Sequence, residues 1–175
     1  NSGETVLLAS IKMAFRLYNA HIELKRQREN LRTALIKQEQ AEEELLKKSE
    51  ELGRYFDSSL DLLCIADTNG HFIRLNPEWE NVLGYPVSEL IGRSFMDLVH
   101  EDDQAATLEA VRRLENQEEV LSFVNRYRCK DGSYRWLEWR SKPFGSAIYA
   151  VARDITEHRT YQEELRNSEE RFQKT

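Results

Sequence analysis

Glycine, proline and tryptophan are distributed very unevenly along this chain. All three prolines, all three tryptophans and five of the seven glycines lie between Gly70 and Gly145, whereas residues 6–52 contain none of these residue types. Glycine and proline interrupt helices, so a stretch without them can stay helical while a stretch that contains them turns repeatedly. The chain is therefore predicted to hold one long helix and one globular domain, because domains commonly need about 100 to 150 residues.

The predicted helix, residues 4–52, carries leucine at most positions of a seven-residue spacing. This leucine series is Leu17, Leu24, Leu31, Leu45 and Leu52, and Gln38 occupies the fourth of the six positions. Leucine at this spacing is typical of a coiled-coil seam, and an isolated helix has nothing else to pack on. We expect a homodimer formed through the leucine series; the alternative is a monomeric helix folded back on the domain. The first turns, residues 6–18, are apolar nearly all round, as in a helix that is normally buried. We expect this segment either to finish an upstream domain of the same chain or to join a helical bundle; pairing with a copy of itself is the alternative in isolation.

The globular stretch reads as two strands, then helices, then three strands. Strands are predicted over residues 62–66, 71–75, 120–130, 133–142 and 147–154. Asp131-Gly132 between two apolar-aromatic runs indicates a tight primed hairpin turn, because such turns need residues that tolerate a positive φ. Asn76 is predicted to cap a helix that begins at Pro77 and ends at Gly84. This order predicts an α+β fold with a five-stranded antiparallel sheet and helices on one face.

A second amphipathic helix is predicted over residues 102–116. The residues expected on its inward stripe are Ala105, Leu108, Val111, Arg112 and Leu114.

Five short motifs follow one another in a characteristic order. They are Asp67-Thr68-Asn69-Gly70, Asn76-Pro77-Glu78-Trp79, Val99-His100-Glu101-Asp102-Asp103, Asp131-Gly132-Ser133-Tyr134-Arg135-Trp136 and Arg153-Asp154-Ile155-Thr156. In this order and spacing they resemble the PAS family, over residues 55–156. The resemblance implies a PAS domain at residues 49–156, between a long signalling helix at 1–48 and a C-terminal output helix at 157–175.

The string Ser49-Glu50-Glu51-Leu52 is similar to Ser168-Glu169-Glu170-Arg171. In the family, such a string resembles the start of a further PAS unit, so tandem repeats in a longer parent protein are one interpretation. Chance similarity between glutamate-rich helices is the other.

The resemblance also assigns a role to Arg153, Asp154, Ile155 and Thr156. It implies that the Asp154 carboxylate ties the strand end to the flanking helices, while Thr156 caps the exit helix with a contact worth ~1 kcal/mol. Signal coupling between the sheet and the output helix would pass through these residues. A plain helix cap is the alternative, and the two interpretations are compatible.

Aromatic and apolar residues of the domain could line a ligand pocket. The candidates are Phe72, Trp79, Tyr85, Phe95, Phe123, Asn125, Tyr127, Trp136 and Tyr149, with Trp139 beside them and Arg126 and Arg140 as further polar anchors. Small ligands enter concave apolar sites that offer few polar groups. The alternative is that these side chains simply fill the core.

No cofactor is implied by the residues. Haem-binding members of the family use a histidine within the long helix, and residues 102–116 contain none. Light-sensing members carry a flavin-reactive cysteine in Gly-x-Asn-Cys-Arg-Phe, but Gly92-Arg93-Ser94-Phe95 has no cysteine. Haem and covalent flavin are therefore disfavoured. His100, directly before a helix, is expected to satisfy backbone groups, the alternative being a ligand role.

Cys64 and Cys129 lack the spacing of a metal site or a disulfide framework, so both are expected to be core thiols in a reducing compartment. No P-loop, Gly-x-Ser-x-Gly or phospho-acceptor box is present. The net charge of −6 is spread over mixed positions without a basic stripe for nucleic acid, and no run is long enough to span a membrane. We expect a non-catalytic, cytoplasmic module without membrane contact of its own.

The sequence begins without an initiator methionine and stops within a helical pattern, so a longer parent is expected. Parents with such modules resemble sensor histidine kinases first, then diguanylate cyclases or phosphodiesterases. The alternative is an unliganded spacer that sets the register of a dimer between other sensor domains.

Overall fold

The computed structural model of the protein describes residues 2–173. It forms two compact units, one ending at Leu52 and the other beginning at Gly53. Helix α1 runs Ser2–Asp57. The outermost residues of the predicted segments 1–48 and 157–175, namely residue 1 and residues 174–175, lie outside the described residues.

Helix α1 exposes its apolar side chains. Every leucine of the leucine series is more than half exposed in the single chain. Contacts along the helix are local, such as the ion pair between Lys48 and Glu44 at 2.9 Å and the hydrogen bond from Gln38 to Glu42 at 2.9 Å. Among the residues that the structure describes, no helix combines the length and apolar character needed to cross a bilayer.

The second unit contains five strands and four helices of α type among its described residues, joined by two short 3-10 turns. The elements are β1 (Leu62–Asp67), β2 (Phe72–Leu75), α2 (Glu78–Leu83), α3 (Val87–Leu90), the 3-10 turns Phe95–Asp97 and Glu101–Asp103, α4 (Gln104–Glu115), β3 (Val120–Arg128), β4 (Tyr134–Phe144), β5 (Ala147–Asp154) and α5 (Thr156–Gln173).

The strands form one antiparallel sheet in the order β2-β1-β5-β4-β3. Its inner face packs on α2, α3 and α4, and this face carries the core, from Leu62 on β1 to Leu137 on β4. The predicted α+β fold, with five antiparallel strands and helices on one face, is confirmed. The predicted bounds of β5 are confirmed as well, while β4 extends two residues further, to Phe144.

A bulge near the start of β3 decides which residues of that strand face inward. Val120 pairs with Ser141 and Phe123 with Trp139, so β3 has one residue more than β4 between these pairs. Ser122, within the bulge, has a φ of +56°. An extra residue shifts the alternation of a strand. Val120 is buried before the bulge, and Asn125 and Tyr127 are buried after it.

β3 is an edge strand, and the segment that leads into α4 covers its outer edge. The His100 N–H donates to the Arg126 carbonyl at 2.9 Å, and the Arg128 N–H donates to the Leu98 carbonyl at 2.8 Å. The Arg126 N–H donates to the Asp103 carboxylate at 2.8 Å. Backbone groups that would otherwise be open to pairing with another strand are thereby satisfied.

The hairpin between β3 and β4 differs from the primed turn expected of Asp131-Gly132. Within this loop, only Gly132 has a positive φ, of +88°. Its N–H donates to the Cys129 carbonyl at 3.0 Å, and the Cys129 N–H donates to the Ser133 carbonyl at 2.8 Å. The loop is therefore longer than two residues and ends on a left-handed glycine, as in hairpins with three- to five-residue loops.

The sequence predicted that Asn76 would cap α2, but the Asn76 side chain does not cap that helix. Its side chain is fully buried: its oxygen accepts from the Leu63 N–H at 2.9 Å, and its amide nitrogen donates to the carbonyls of Ser59 and Asp61 at 3.3 and 3.0 Å. Asn76 thus pins the segment by which the chain enters the sheet. The predicted end of α2 is confirmed, because Gly84 adopts the left-handed conformation with a φ of +76°.

The inward stripe of α4 also differs from the prediction. Thr107 and Leu114 are buried and Ala110 and Val111 half-buried, whereas Ala105, Leu108 and Arg112 are exposed. Positions 107, 110, 111 and 114 have the i, i+3, i+4, i+7 spacing of one helix face. The prediction was right for Val111 and Leu114 and wrong for Ala105, Leu108 and Arg112, because it began the stripe at an apolar residue and passed over a threonine.

Candidate functional site

A cavity of about 60 Å³ lies between α4 and the inner face of the sheet. Its walls come from all five strands, from α4 and from the 3-10 turn at Phe95. The lining residues are Cys64, Ala66, Phe72, Phe95, Thr107, Ala110, Val111, Leu114, Val120, Phe123, Asn125, Tyr127, Trp139, Ser141, Ile148 and Ala150.

Five of the nine predicted pocket residues line this cavity. They are Phe72, Phe95, Phe123, Asn125 and Tyr127, joined by Trp139. Their rings lie close together, with Phe72 and Phe95 at 6.0 Å and Tyr127 and Trp139 at 5.3 Å between centroids. The sequence therefore identified most of the aromatic wall.

Trp79 and Tyr85 belong to the packed core beside the cavity and do not line it. The Trp79 ring is fully buried, and its indole N–H donates to the Leu63 carbonyl at 3.0 Å. The Tyr85 hydroxyl donates to the Cys129 carbonyl at 3.3 Å. For these two residues, the alternative interpretation as core filling describes their position.

Trp136 and Tyr149 lie on the outer face of the sheet, away from the cavity. Side chains alternate along a strand. Leu137 of β4 is buried, so its neighbour Trp136 points outward, and Ile148 and Ala150 of β5 are buried while Tyr149 between them is exposed. The same alternation places Arg126 and Arg140 outside, so Asn125 is the only one of the three expected anchors that reaches the cavity.

A chain of buried hydrogen bonds crosses one wall of the cavity. The Trp139 indole N–H donates to the Asn125 side-chain oxygen at 2.7 Å. The Asn125 amide donates to the Thr107 hydroxyl at 3.1 Å, and that hydroxyl donates to the Asp103 carbonyl at 2.7 Å. This chain joins β4, β3 and the start of α4. Buried polar groups with such partners specify one arrangement of the wall.

The cavity lining carries no charged side chain. Burial raises the pKa of the Cys64 thiol to about 12. Burial also holds the pKa of the Tyr127 hydroxyl well above its usual value. Ser141 is buried and adds a hydroxyl to the lining. The site is therefore suited to a small neutral molecule with at most one or two polar groups.

The volume limits what could bind. A cavity needs roughly 10–15 Å³ to hold a single water molecule. This cavity, of about 60 Å³, therefore has room for only a few atoms. A haem or a flavin does not fit unless the core rearranges. Within residues 2–173, no cluster of three His, Cys, Asp or Glu side chains could hold a metal ion.

His100 has the local role expected from the sequence. Its Nδ1 accepts from the Asp102 N–H at 3.2 Å at the turn before α4, and its ring lies 4.7 Å from the Tyr134 ring between centroids. The prediction that His100 satisfies a backbone group is confirmed.

The Arg153-Asp154-Ile155-Thr156 segment forms a junction between β5, β4 and α5. The Asp154 carboxylate accepts from the Thr156 N–H at 2.9 Å and from the Thr156 hydroxyl. The Thr156 hydroxyl in turn accepts from the Trp136 N–H at 2.9 Å, and the Ile155 N–H donates to the Trp136 carbonyl at 2.9 Å. Asp154 therefore caps the start of α5, and Thr156 attaches that start to β4. The sequence had assigned the cap to Thr156.

Arg153 reaches the opposite connection of the domain. Its guanidinium donates to both carboxylate oxygens of Asp61, each at 3.1 Å. Asp61 lies in the short segment between α1 and β1, the same segment that Asn76 pins through the Asp61 carbonyl. Two adjacent residues at the end of β5 thus contact the entry into the sheet and the exit from it.

The sequence interpretation missed Thr107, Ser141 and Cys64 as lining residues. Thr107 could have been found, because it begins the i, i+3, i+4, i+7 series that continues to Leu114. Ser141 lies two residues after Trp139 on a strand, so its inward position follows from that of Trp139. Cys64 lies between two half-buried residues of β1.

Comparison with known proteins agrees with this geometry. The family described as PAS fold matches residues 72–152. Protein cycle of Drosophila melanogaster is 35% identical over 91 residues, which cover 49% of this chain and 22% of that protein. Sporulation kinase C of Bacillus subtilis is 24% identical over 131 residues, which cover 71% of this chain and 30% of that protein. The chain thus spans less than a third of the length of either relative.

Among solved structures, the PAS domain of an HTR-like protein from Haloarcula marismortui superposes with a TM-score of 0.60 at 26% identity. The superposition covers 67% of this chain and 99% of that domain. The sheet order, the position of the helices and the family match agree with one another: the globular part of this chain has the PAS fold.

Proposed function

We propose that this chain is a non-catalytic sensory and transmission module of a multidomain signalling protein, with a sensor histidine kinase as the first candidate class. The carrying observation is the junction at the end of β5, where Arg153 contacts Asp61 at the entry and Asp154 contacts Thr156 at the exit. A shift of β5 would move both connections together. The match to Sporulation kinase C supports the choice of output class.

In this mechanism, the cavity is the input. Ala150 of β5 lines the cavity, and the same strand ends at Asp154, four residues further along. A molecule that fills the cavity would displace the strand, α4 or both, and the contacts of Asp154 would pass that displacement to α5. A coupling free energy of about 1–3 kcal/mol is typical of such linkage and changes populations several-fold.

The substitution Asp154→Ala tests this role. It removes the acceptor for the Thr156 N–H and hydroxyl, so the first turn of α5 should exchange its amide hydrogens faster while the sheet keeps its protection. In a full-length signalling protein that contains this chain, output should no longer follow the input. Unchanged α5 exchange together with unchanged output would refute the role.

The chain offers a matched control in Asp131→Ala. The Asp131 carboxylate accepts from the Ser133 N–H at 2.9 Å and from the Ser133 hydroxyl at 2.6 Å, which is the same local arrangement as at Asp154. Asp131 lies in the β3–β4 hairpin and has no contact with α5 among the described residues. Its loss should weaken the hairpin and leave α5 and output unchanged.

We also propose that two chains pair through the leucine series, because these leucines are exposed in the single chain. The double substitution Leu31→Glu and Leu45→Glu should convert a dimer to a monomer in sedimentation equilibrium. Thr33→Glu with Gln40→Glu is the control, since positions 33 and 40 fall outside the seam in either heptad register. A wild-type chain that sediments as a monomer contradicts the dimer.

The proposed compartment is the cytoplasm. Cys64 and Cys129 are both buried and unpaired, as expected where thiols remain reduced.

A spacer without a ligand is the second candidate function, favoured by the small size of the cavity. Filling the cavity by Ala150→Val distinguishes the two: a sensor should lose its response to input, and a spacer should keep full output.

A further inference from the structure

Trp136, on the outer face of β4, contacts arginines from two other elements. The guanidinium carbon of Arg159, in the first turns of α5, lies 4.1 Å from the centroid of the Trp136 ring. The guanidinium carbon of Arg126, on the paired position of β3, lies 5.0 Å from the same centroid. Cations are attracted to the face of an indole ring within about 6 Å. One ring therefore joins β3, β4 and α5.

Arg126 is held by the start of α4. Its Nε and Nη2 donate to the two oxygens of Asp103, both at 2.8 Å, and Nη2 also donates to Asp102 at 3.2 Å. The hydrogen bonds from Arg126 lower the pKa of the Asp103 carboxyl below its usual value, so this pair is charged at neutral pH. The guanidinium is thus fixed in direction and largely neutralised by carboxylates.

Asp103 is also attached to the cavity wall. Its carbonyl accepts from the Thr107 hydroxyl at 2.7 Å, and Thr107 lines the cavity. A continuous series of contacts therefore runs from the cavity through Thr107, Asp103, Arg126 and Trp136 to Arg159. None of these contacts involves Asp154 or Thr156 through a side chain.

We propose that Trp136 is a docking point for α5 whose strength is set by α4, giving the cavity a second connection to the output helix. Arg159 has no carboxylate partner among the described side chains, so the Trp136 ring is the contact that holds it. Two guanidinium groups beside one ring repel each other unless one is neutralised. A movement of α4 that draws Asp103 away from Arg126 would restore that repulsion and loosen Arg159. The inference rests on the proposed function, because it supplies a further route for the same transmission.

Hydrogen exchange of the α5 amides in the whole chain measures the docking. Arg159→Gln and Trp136→Leu should each raise exchange near residues 159–163 roughly two- to fivefold, as expected for a contact of this kind. Arg159→Lys should retain part of the protection. Arg166→Gln is the control, because it removes a positive charge that also lies on α5 and that, among the described residues, pairs with Glu170 alone, at 4.0 Å. A result in which Arg159→Gln resembles this control would overturn the docking.

The substitution Asp103→Asn tests the role of α4. Asp103 has no contact with α5 among residues 2–173. The amide exchange rate of α5 is divided by that of β5, so that a general loss of stability, which raises both rates, cancels in the ratio. Asp103→Asn should raise this ratio roughly twofold in the wild-type background and leave it unchanged in the Arg159→Gln background. Equal effects in both backgrounds, or no effect in either, would overturn the inference.

The variant Asp154→Ala separates this inference from the proposed function. If Asp154→Ala loosens α5 and Asp103→Asn does not, the connection through Trp136 is wrong while the proposed junction stands. If Asp103→Asn loosens α5 and Asp154→Ala does not, the connection through Trp136 stands and the proposed role of Asp154 is wrong.

Discussion

The indole N–H of Trp139 donates to the side-chain oxygen of Asn125 over 2.7 Å, and both residues are buried. The bond determines which end of the amide faces which partner, so the Asn125 nitrogen is directed to the Thr107 hydroxyl at 3.1 Å. One asparagine thereby fixes the relation between the sheet and α4. The shape of the cavity depends on this relation, because all three residues line it.

Replacing Asn125 by leucine should destabilise the domain by about 1–3 kcal/mol, because in the core the Trp139 N–H loses its acceptor and the Thr107 hydroxyl loses one donor. Urea unfolding of the chain measures the free energy. Adding Trp139→Phe removes the unpaired N–H, so the double variant should be more stable than the sum of the two single effects predicts. Strictly additive effects would show that the hydrogen bond contributes nothing to stability.

A pair of alanines on β5 tests whether the cavity exists in solution. Ala150 and Ala152 are both buried on the inner face of the same strand, but only Ala150 lines the cavity. Ala152→Val should cost about 1–3 kcal/mol, since added methyl groups in a filled core force neighbours apart. Ala150→Val should be neutral or stabilising in thermal unfolding. Equal losses at both positions would mean that the cavity is closed.

The order of the strands and helices could be predicted from the sequence because local rules act there without competition. The left-handed Gly84 ends α2, and β5 begins and ends where the pattern indicated. These features depend on backbone conformation and on alternation within one segment. The fold follows from their order along the chain.

The face of the sheet on which each side chain lies was harder to predict, for two physical reasons. β4 carries aromatic residues on both faces, so hydrophobicity alone cannot tell Trp136 outside from Trp139 inside. β3 contains a bulge at Ser122, and its extra residue shifts the alternation along the strand. A bulge depends on pairing with another strand, which no local pattern shows. The role of Asn76 was missed for a related reason, because its partners, Ser59 to Leu63, lie more than ten residues away.

The ion pair between Asp103 and Arg126 predicts how stability changes in acid. Hydrogen bonds from Arg126 lower the pKa of Asp103 in the folded state. A lowered folded pKa means that the pair stabilises the fold above the unfolded value of about 3.9, and that this stabilisation is lost as the pH falls through the folded pKa.

The measurement is the difference in unfolding free energy between the wild-type chain and Asp103→Asn. This difference should be constant from pH 7 to about pH 5 and shrink below about pH 4. The same comparison for Glu109→Gln is the control and should show little change with pH, because Glu109 is exposed and its ion pair with Arg112, at 3.4 Å, lies on the surface. If this difference in unfolding free energy grew as the pH fell, the prediction would be wrong.

Two glycines in nearly the same backbone conformation separate the cost of a positive φ from the cost of a close contact. Gly70 and Gly132 have φ values of +87° and +88°. A Cβ at Gly132 would meet no atom within 4 Å, whereas a Cβ at Gly70 would lie 3.3 Å from the Phe95 ring. Gly132→Ala should therefore cost about 1–2 kcal/mol from the backbone alone, and Gly70→Ala should cost more.

The excess cost at Gly70 should come from Phe95, which lines the cavity and whose N–H donates to the Gly70 carbonyl at 2.9 Å. In a Phe95→Leu background the ring is absent, so the difference between Gly70→Ala and Gly132→Ala in urea unfolding should shrink toward zero. The Phe95 N–H keeps its bond in both backgrounds, which leaves the backbone term unchanged. If the excess persists without the ring, then the turn after β1 is strained by something other than the approach of Phe95.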